Sequence, residues 1–229
     1  MFRRNLIAAA LTLSLLPAFA PVAALAGSDD ATALPDDLLL MQIDVAGQAN
    51  GTITIALRPD LAPEHVARVI ELATTGAYDN VVFHRVIDGF MAQTGDVQYG
   101  RMGADVSSAG MGGSDLPDLR AEFSDAPFER GVMGMARARA PNSANSQFFL
   151  MFAPAPYLNG QYTVVGEIVD GLDVLDAIKR GDGPNGSVLG QADYMAAVRI
   201  LLPEADAQPE AQSETMIGVQ TEEPARASE

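Results

Sequence analysis

The stretch "VVFHRVIDGFMAQTGD", residues 81–96, carries most of the information in this chain. It begins as an apolar, β-branched run that predicts a strand over residues 81–86, and this strand holds His84 and Arg85 side by side. A charge in apolar surroundings costs free energy unless a partner or a function uses it. Arg85 is therefore the first candidate for a functional side chain.

Composition limits the classes of function that the 229-residue chain can serve. A hydrophobic content of 48% is typical of a folded domain, and a formal net charge of −16 disfavours nucleic acid and anionic lipid as partners. The sequence contains no cysteine and only two histidines, His65 and His84, which disfavours thiol chemistry and a zinc site. We therefore expect no metal and no cofactor.

Residues 1–26 have the pattern of a cleaved export signal. Arg3 and Arg4 precede an apolar run, and "ALA" at residues 24–26 offers the small residues of a cleavage site. We expect cleavage after Ala26 and a periplasmic protein with no further membrane association. The alternative is an uncleaved segment that anchors the protein in the membrane, facing the periplasm.

Composition divides the rest of the chain into three parts. Residues 27–36 form a polar linker, and residues 37–202 contain many short strand patterns and two helix patterns, at 60–76 and 170–181. This combination predicts a β-barrel plugged by helices. Residues 203–229 contain seven acids, one base and three prolines, which predicts a disordered tail.

Three segments of the domain form a recognisable series: "FHRVIDGFMAQTGD" (83–96), "GVMGMARARAPNSANSQFFLMF" (131–152) and "YLNGQYTVVGEIVDG" (157–171). Their order and content closely resemble the cyclophilin family of peptidyl-prolyl cis-trans isomerases, and the resemblance extends over residues 38–202. It implies a mainly β fold, a closed eight-stranded antiparallel β-barrel capped by two α-helices. It also implies a substrate groove on the outside of the barrel.

The resemblance assigns the catalytic role to Arg85. It implies an apolar pocket for a proline ring, built from Phe90, Met91 and Phe149, and a hydrogen bond from Gln93 to the substrate backbone. The complete set of substrate-binding residues that it implies is Phe90, Met91, Gln93, Ala136, Arg137, Phe149, Leu158 and Tyr162.

Three features depart from the family pattern. Tyr157 stands where many members have a tryptophan, which leaves sensitivity to the cyclosporin-type inhibitor open. Tyr162 stands where a groove histidine is usual. The segment "MARARAPN" is one residue longer than the common spacing, so the sequence leaves the alignment of Ala136 and Arg137 with the groove open.

Rotation about an Xaa–Pro bond explains why an arginine would lie among apolar residues. The bond rotates over a barrier of about 18–20 kcal/mol because its resonance must be broken. As resonance is lost, the proline nitrogen becomes pyramidal and gains a lone pair, which a fixed guanidinium donor can stabilise. Such a site requires only that the twisted amide be bound better than either planar form.

Each candidate residue also has a structural alternative. On composition alone, the three pocket residues would be core, and Arg85 would be a strand residue whose charge reaches water. His84 points away from Arg85 on an alternating strand, and we interpret it as a hydrogen-bonded structural residue. His65 is interpreted as an exposed or half-buried helical residue.

Together these observations predict an exported prolyl isomerase that acts as a monomer and assists protein folding. Its expected partners are proline-containing polypeptides that are unfolded or newly exported. The alternative is a proline-directed binding module or holdase chaperone with the same fold and little turnover. A hydrolase is disfavoured, because Ser146 lies in no G-x-S-x-G motif.

Overall fold

A single antiparallel sheet dominates the structure, a computed structural model that describes residues 38–203. Its strands are β1 (Leu40–Ala46), β2 (Gly51–Leu57), β3 (Val81–Val82), β4 (Arg85–Ile87), β5 (Met91–Thr94), β6 (Val132–Arg137), β7 (Ala144–Met151), β8 (Val164–Asp170) and β9 (Tyr194–Leu201). The predicted export signal, the linker and the tail beyond Pro203 lie outside the described residues.

The order of the strands shows how the sheet closes. They follow one another as β3-β9-β1-β2-β8-β6-β7-β5-β4, so the two edge strands are consecutive in the chain and only Phe83 and His84 separate them. The backbone thus joins the two edges of a curled sheet. The mainly β, antiparallel fold is confirmed, and nine strands replace the expected eight because the strand predicted over residues 81–86 is split.

Hydrogen bonds explain why that strand is interrupted. The backbone N–H of Phe83 donates to the Asp193 carbonyl at 2.8 Å, beside β9, whereas the His84 carbonyl accepts from Val188 at 3.0 Å. The chain therefore separates from β9, the partner of β3, before it pairs with β5 as strand β4. As a result, Arg85 begins a strand at the seam of the barrel.

Two α-helices, α1 (Pro63–Thr74) and α2 (Leu172–Ala177), complete the fold together with short 3₁₀ turns at Pro156–Leu158 and Pro184–Gly186. Helix α1 agrees with the predicted helix at 60–76. The helix predicted at 170–181 is shorter than expected, because Ile178 is extended at φ −57° and ψ 129°. Within residues 38–203, no helix is long and apolar enough to span a bilayer.

Alternation along β5 and β7 creates two apolar clusters on opposite faces of the sheet. Ala92, Phe148 and Leu150 belong to the cluster inside the barrel. Their neighbours Met91 and Phe149 belong to a second cluster on the outer face. The sequence pattern of these two strands therefore supplies both the core and an apolar surface on which a site can be built.

A buried carboxylate organises the long segment between β5 and β6. The Asp96 side chain is fully buried, and its Oδ2 accepts backbone N–H groups from Gly110 at 2.7 Å and Gly112 at 2.9 Å. Its Oδ1 accepts two more, from Gln98 and Tyr99. Hydrogen bonds to a charged acceptor are stronger than neutral ones, so this carboxylate holds the segment against the barrel beside the outer apolar cluster.

Candidate active site

A groove of about 410 Å³ lies on the outer face of the barrel and brings together every residue predicted for the site. Its lining residues are Arg85, Phe90, Met91, Gln93, Ala136, Arg137, Phe149, Tyr157, Leu158, Gln161 and Tyr162. Strands β4 to β7, the turn at Pro156–Leu158 and the residues just before β5 and just after this turn supply them. The roles assigned to these residues remain predictions, but their proximity is a feature of the fold.

The guanidinium of Arg85 is held by neutral acceptors. Its Nε donates to the Asn185 carbonyl at 3.0 Å, its Nη2 to Asn185 Oδ1 at 3.2 Å, and its Nη1 to Gln93 Oε1 at 3.2 Å. Among residues 38–203, Arg85 forms no salt bridge. Burial lowers the pKa of Arg85 from its ordinary value, yet an arginine keeps its charge in proteins.

Sheet register explains the contact between Arg85 and Gln93. These residues pair directly across β4 and β5, so their side chains leave the same face of the sheet. Gln93 Nε2 donates to Gln147 Oε1 at 2.8 Å, and Gln147 Nε2 donates to the Gly112 carbonyl at 2.7 Å. This chain of amides connects the guanidinium to the loop that Asp96 holds, and it sets the orientation of Gln93.

Asn185 is a site residue that the sequence analysis missed. It lies in the "PNG" turn at Pro184–Gly186 with φ 55° and ψ 28°, a left-handed conformation that asparagine tolerates. A turn can be predicted from Pro-Asn-Gly. The contact with Arg85, 100 residues earlier in the chain, leaves no signal in the local sequence.

The apolar pocket has a rigid floor. Met91 and Phe149 are only 1% and 5% exposed, and the Phe149 ring stacks on Phe128, a residue that the sequence analysis also missed, at 5.8 Å between centroids. A Cβ on Gly134 would lie 2.5 Å from Phe128 and 2.6 Å from Phe149. Both rings therefore need a glycine at this position of β6.

Two tyrosines form the rim of this pocket. Tyr162 meets the Phe149 ring edge-on, with centroids 5.9 Å apart, and Tyr157 lies 6.0 Å from the Phe90 ring. Tyr157 is 65% exposed, so its ring extends the apolar surface toward solvent. These are the two positions where the chain departs from the family pattern.

Arg137, from the "MARARAPN" segment, lies in the wall of the groove. Its guanidinium carbon is 4.4 Å from the centroid of the Tyr162 ring, a cation–π geometry. Ala136, the residue before it, lines the same groove. The longer segment therefore leaves both residues in the site.

The structure corrects the interpretation of both histidines. His84 is buried, but neither of its ring nitrogens has a hydrogen-bond partner within the described part of the chain. His65 is fully buried rather than exposed or half-buried, and its Nδ1 contacts Glu122 Oε2 at 2.5 Å. Glu122 follows 57 residues later in the chain, so the sequence near His65 could not indicate this burial.

Ser146 also has a structural role. It is fully buried, and its Oγ donates to the Gly95 carbonyl at 2.7 Å. The hydroxyl therefore stabilises the strand pair beside the groove and does not face it.

Comparison with known proteins identifies related chains. The family model described as cyclophilin type peptidyl-prolyl cis-trans isomerase/CLD matches residues 40–201. A probable peptidyl-prolyl cis-trans isomerase of Brucella suis is 59% identical over 142 residues, which cover 61% of this chain and 72% of that protein. The peptidyl-prolyl cis-trans isomerase-like 2 protein of Cryptococcus neoformans is 40% identical over 131 residues, covering 57% of this chain and 22% of that protein.

Solved structures have the same fold. The cyclophilin AquaCyp293 from Hirschia baltica superposes with a TM-score of 0.59 and 25% identity, and 77% of each chain is covered. A cyclophilin type peptidyl-prolyl cis-trans isomerase of Cryptosporidium parvum, crystallised in the presence of the dipeptide Ala-Pro, has a TM-score of 0.60 and 25% identity. The match covers 71% of this chain and 98% of that one.

Burial of His84 predicts a pH dependence of stability. Burial lowers the pKa of His84 to about 4, from an ordinary value near 6.5, so the unfolded chain binds a proton more readily between these pH values. Stability from this residue is complete above pH 6.5 and is lost as the pH falls toward 4. Between pH 7 and pH 4.5, we expect the free energy of unfolding of wild type to fall by about 2–3 kcal/mol more than that of His84→Gln. Urea unfolding at both pH values measures this, and equal losses would contradict it.

Removal of the Asn185 side chain predicts a loss of activity. Asn185→Gly keeps the left-handed backbone and the carbonyl acceptor but removes Oδ1, which leaves one donor of Arg85 unpaired. We expect kcat/KM for a proline-containing peptide to fall about tenfold, the effect of one hydrogen bond to a charged group. Asn185→Asp retains Oδ1 but pairs Arg85 with a carboxylate, so its activity should also fall, whereas Asn50→Gly, in the exposed turn after β1, is the control. Equal activity of Asn185→Gly and wild type would argue against this role.

Proposed function

The chain belongs to the cyclophilin-type peptidyl-prolyl cis-trans isomerase family, and we propose that its groove is where an Xaa–Pro bond of a bound polypeptide rotates. The enzyme class follows from the family. One observation supports the location of the reaction: the charge of Arg85 is fixed by neutral acceptors at the edge of an apolar pocket. The apolar pocket suits a proline ring, and the Arg85 guanidinium, whose charge is not neutralised, suits the nitrogen of that ring.

The pocket holds the ring while the rest of the bond turns. The proline ring packs against Met91 and Phe149, whose buried side chains cannot easily move aside. The carbonyl before the proline then swings through the twisted state while the ring stays in place. An acceleration of roughly 10⁵ would require about 7 kcal/mol of stabilisation specific to that state.

Arg85 supplies the stabilisation that is specific to the twisted bond. In the planar amide the nitrogen lone pair is delocalised, so a nearby donor gains little from it. In the twisted state the lone pair becomes available, and a guanidinium N–H aimed at it forms a hydrogen bond that the ground state lacks. The reaction therefore moves no proton permanently and forms no covalent intermediate.

Gln93 positions the polypeptide backbone. Its Oε1 accepts from Arg85, and one hydrogen of its Nε2 is directed to Gln147. An amide nitrogen carries two hydrogens, so Gln93 retains a donor for a substrate carbonyl. A backbone contact of this kind orients the substrate without selecting its side chains.

Export and assistance to protein folding complete the proposal. The pattern of residues 1–26 supports delivery to the periplasm, where unfolded, newly exported polypeptides would be the substrates. The groove is open at the surface of the barrel, so a segment of extended chain can enter it without threading. Slow Xaa–Pro rotation limits the folding of many chains, and a groove of this type acts on that step.

Loss of the proposed donor gives a direct test. We expect Arg85→Ala to lower kcat/KM for a proline-containing peptide by roughly 10²–10³, the scale observed when one transition-state donor is removed. Arg58→Ala is the matched control, because Arg58 pairs with Asp60 on a different surface. Unfolding curves of both variants should resemble that of wild type.

The same variant separates an isomerase from a holdase. A chaperone that only binds unfolded chains would suppress aggregation equally well with either residue at position 85. If Arg85→Ala retained most of the peptide turnover with an unchanged unfolding curve, Arg85 would not be the catalytic residue.

Export can be tested on the full-length chain. Expressed in a Gram-negative host, the protein should be recovered from the periplasm, and its N-terminal sequence should begin at Gly27. Recovery from the membrane with Met1 intact would support the anchored alternative. A full-length cytoplasmic protein would overturn the export proposal and leave the enzymatic one untouched.

A further inference from the structure

The charge of the groove differs from that of the rest of the protein. The formal net charge of the chain is −16, yet the groove is lined by Arg85 and Arg137 and, among the described residues, by no aspartate or glutamate. Three arginines elsewhere pair with carboxylates at 2.7 to 2.9 Å: Arg58 with Asp60, Arg130 with Asp176, and Arg180 with Asp88. The two groove arginines therefore form a local positive site on an acidic protein.

Arg137 is held as firmly as Arg85 and also by neutral groups. Its Nη2 donates to the Gln161 carbonyl at 2.9 Å, and its Nη1 donates to the carbonyls of Ala138 at 3.1 Å and Arg139 at 3.3 Å. The ring of Tyr162 covers one face of the guanidinium at 4.4 Å. These contacts fix the position of the positive charge without cancelling it.

The position of Arg137 places this charge where a bound chain would pass. Arg137 lines the groove and also an adjoining hollow of about 330 Å³, in which the loop at residues 110–114 forms a wall. Asp118 lines the same hollow, but it lies beyond salt-bridge distance from Arg137 and accepts a hydrogen bond from Asn145 at 3.0 Å. Arg137 thus lines both the groove and the hollow, whereas Asp118 lines only the hollow.

We propose that Arg137 makes the groove selective for proline segments that carry an acidic side chain close to the proline. The inference rests on the proposed function of the groove and names the substrate class that this chain prefers. A carboxylate at this point would form a charge-assisted hydrogen bond with a guanidinium that needs no rearrangement. A lysine side chain at the same point would meet a like charge, so segments of that kind would bind more weakly.

Six peptides test the selectivity. They carry glutamate, glutamine or lysine two residues before the proline in one set and two residues after it in the other. For wild type at low salt, we expect kcat/KM in at least one set to fall from glutamate to glutamine to lysine, by about threefold or more at each step. Added salt should compress the series, because the pairing occurs at a solvent-accessible groove.

Three variants assign the selectivity to a residue. In Arg137→Gln the ratio of glutamate to lysine turnover should fall to near one, whereas Arg137→Lys, which retains the charge, should keep the order. Arg139→Gln is the matched control, because its exposed side chain lies two residues away and outside the groove lining. An unchanged ratio in Arg137→Gln, or an equal loss for all peptides, would overturn the proposal and leave Arg137 as a support for Tyr162.

The outcomes also distinguish this inference from the proposed function. If wild type turns over the glutamine peptides but treats glutamate and lysine alike, only the selectivity fails. If wild type turns over none of the six peptides, the proposed function fails and the selectivity with it.

Discussion

The groove depends on a positive charge that is fixed in place but not neutralised. A carboxylate would hold Arg85 more tightly, but it would also occupy the donors that a weakly basic proline nitrogen needs. The protein uses carbonyl and amide oxygens from Asn185 and Gln93 instead. Each such bond to a charged group contributes about 1.5–3 kcal/mol net, enough to orient the guanidinium while its charge remains available. The β4–β5 register and the Pro-Asn-Gly turn both serve this arrangement.

The neutral state of His84, which burial causes, suits the same arrangement. A protonated imidazole next to Arg85 would place two like charges in a poorly solvated region of the seam. Burial lowers the pKa of His84 to about 4, so the ring is neutral near pH 7 even though Asp96 acts in the opposite direction. At the split between β3 and β4, the histidine is buried while the arginine faces the groove.

The sequence alone predicted those features of the fold and the site that depend on local patterns of residues. The linear motif around Arg85 was sufficient to indicate the groove, and the family resemblance that it carries named Met91 and Phe149 as pocket residues. Prediction from the sequence failed where a contact joins distant segments, as with Asn185 on Arg85, Phe128 beneath Phe149 and Glu122 on His65. The strand count differed for a related reason: only the tertiary hydrogen bonds of residues 83 and 84 divide the predicted strand.

Electrostatic forces act on an approaching polypeptide segment at both long and short range. The formal net charge of −16 repels acidic chains at long distance, but this repulsion is screened beyond about 8 Å at physiological ionic strength. Inside the groove the distances are shorter, and the charges of Arg85 and Arg137 outweigh the distant carboxylates. An acidic surface can therefore coexist with a site that prefers acidic segments. The overall charge governs the rate of approach, and the two fixed guanidinium groups govern which segments remain bound.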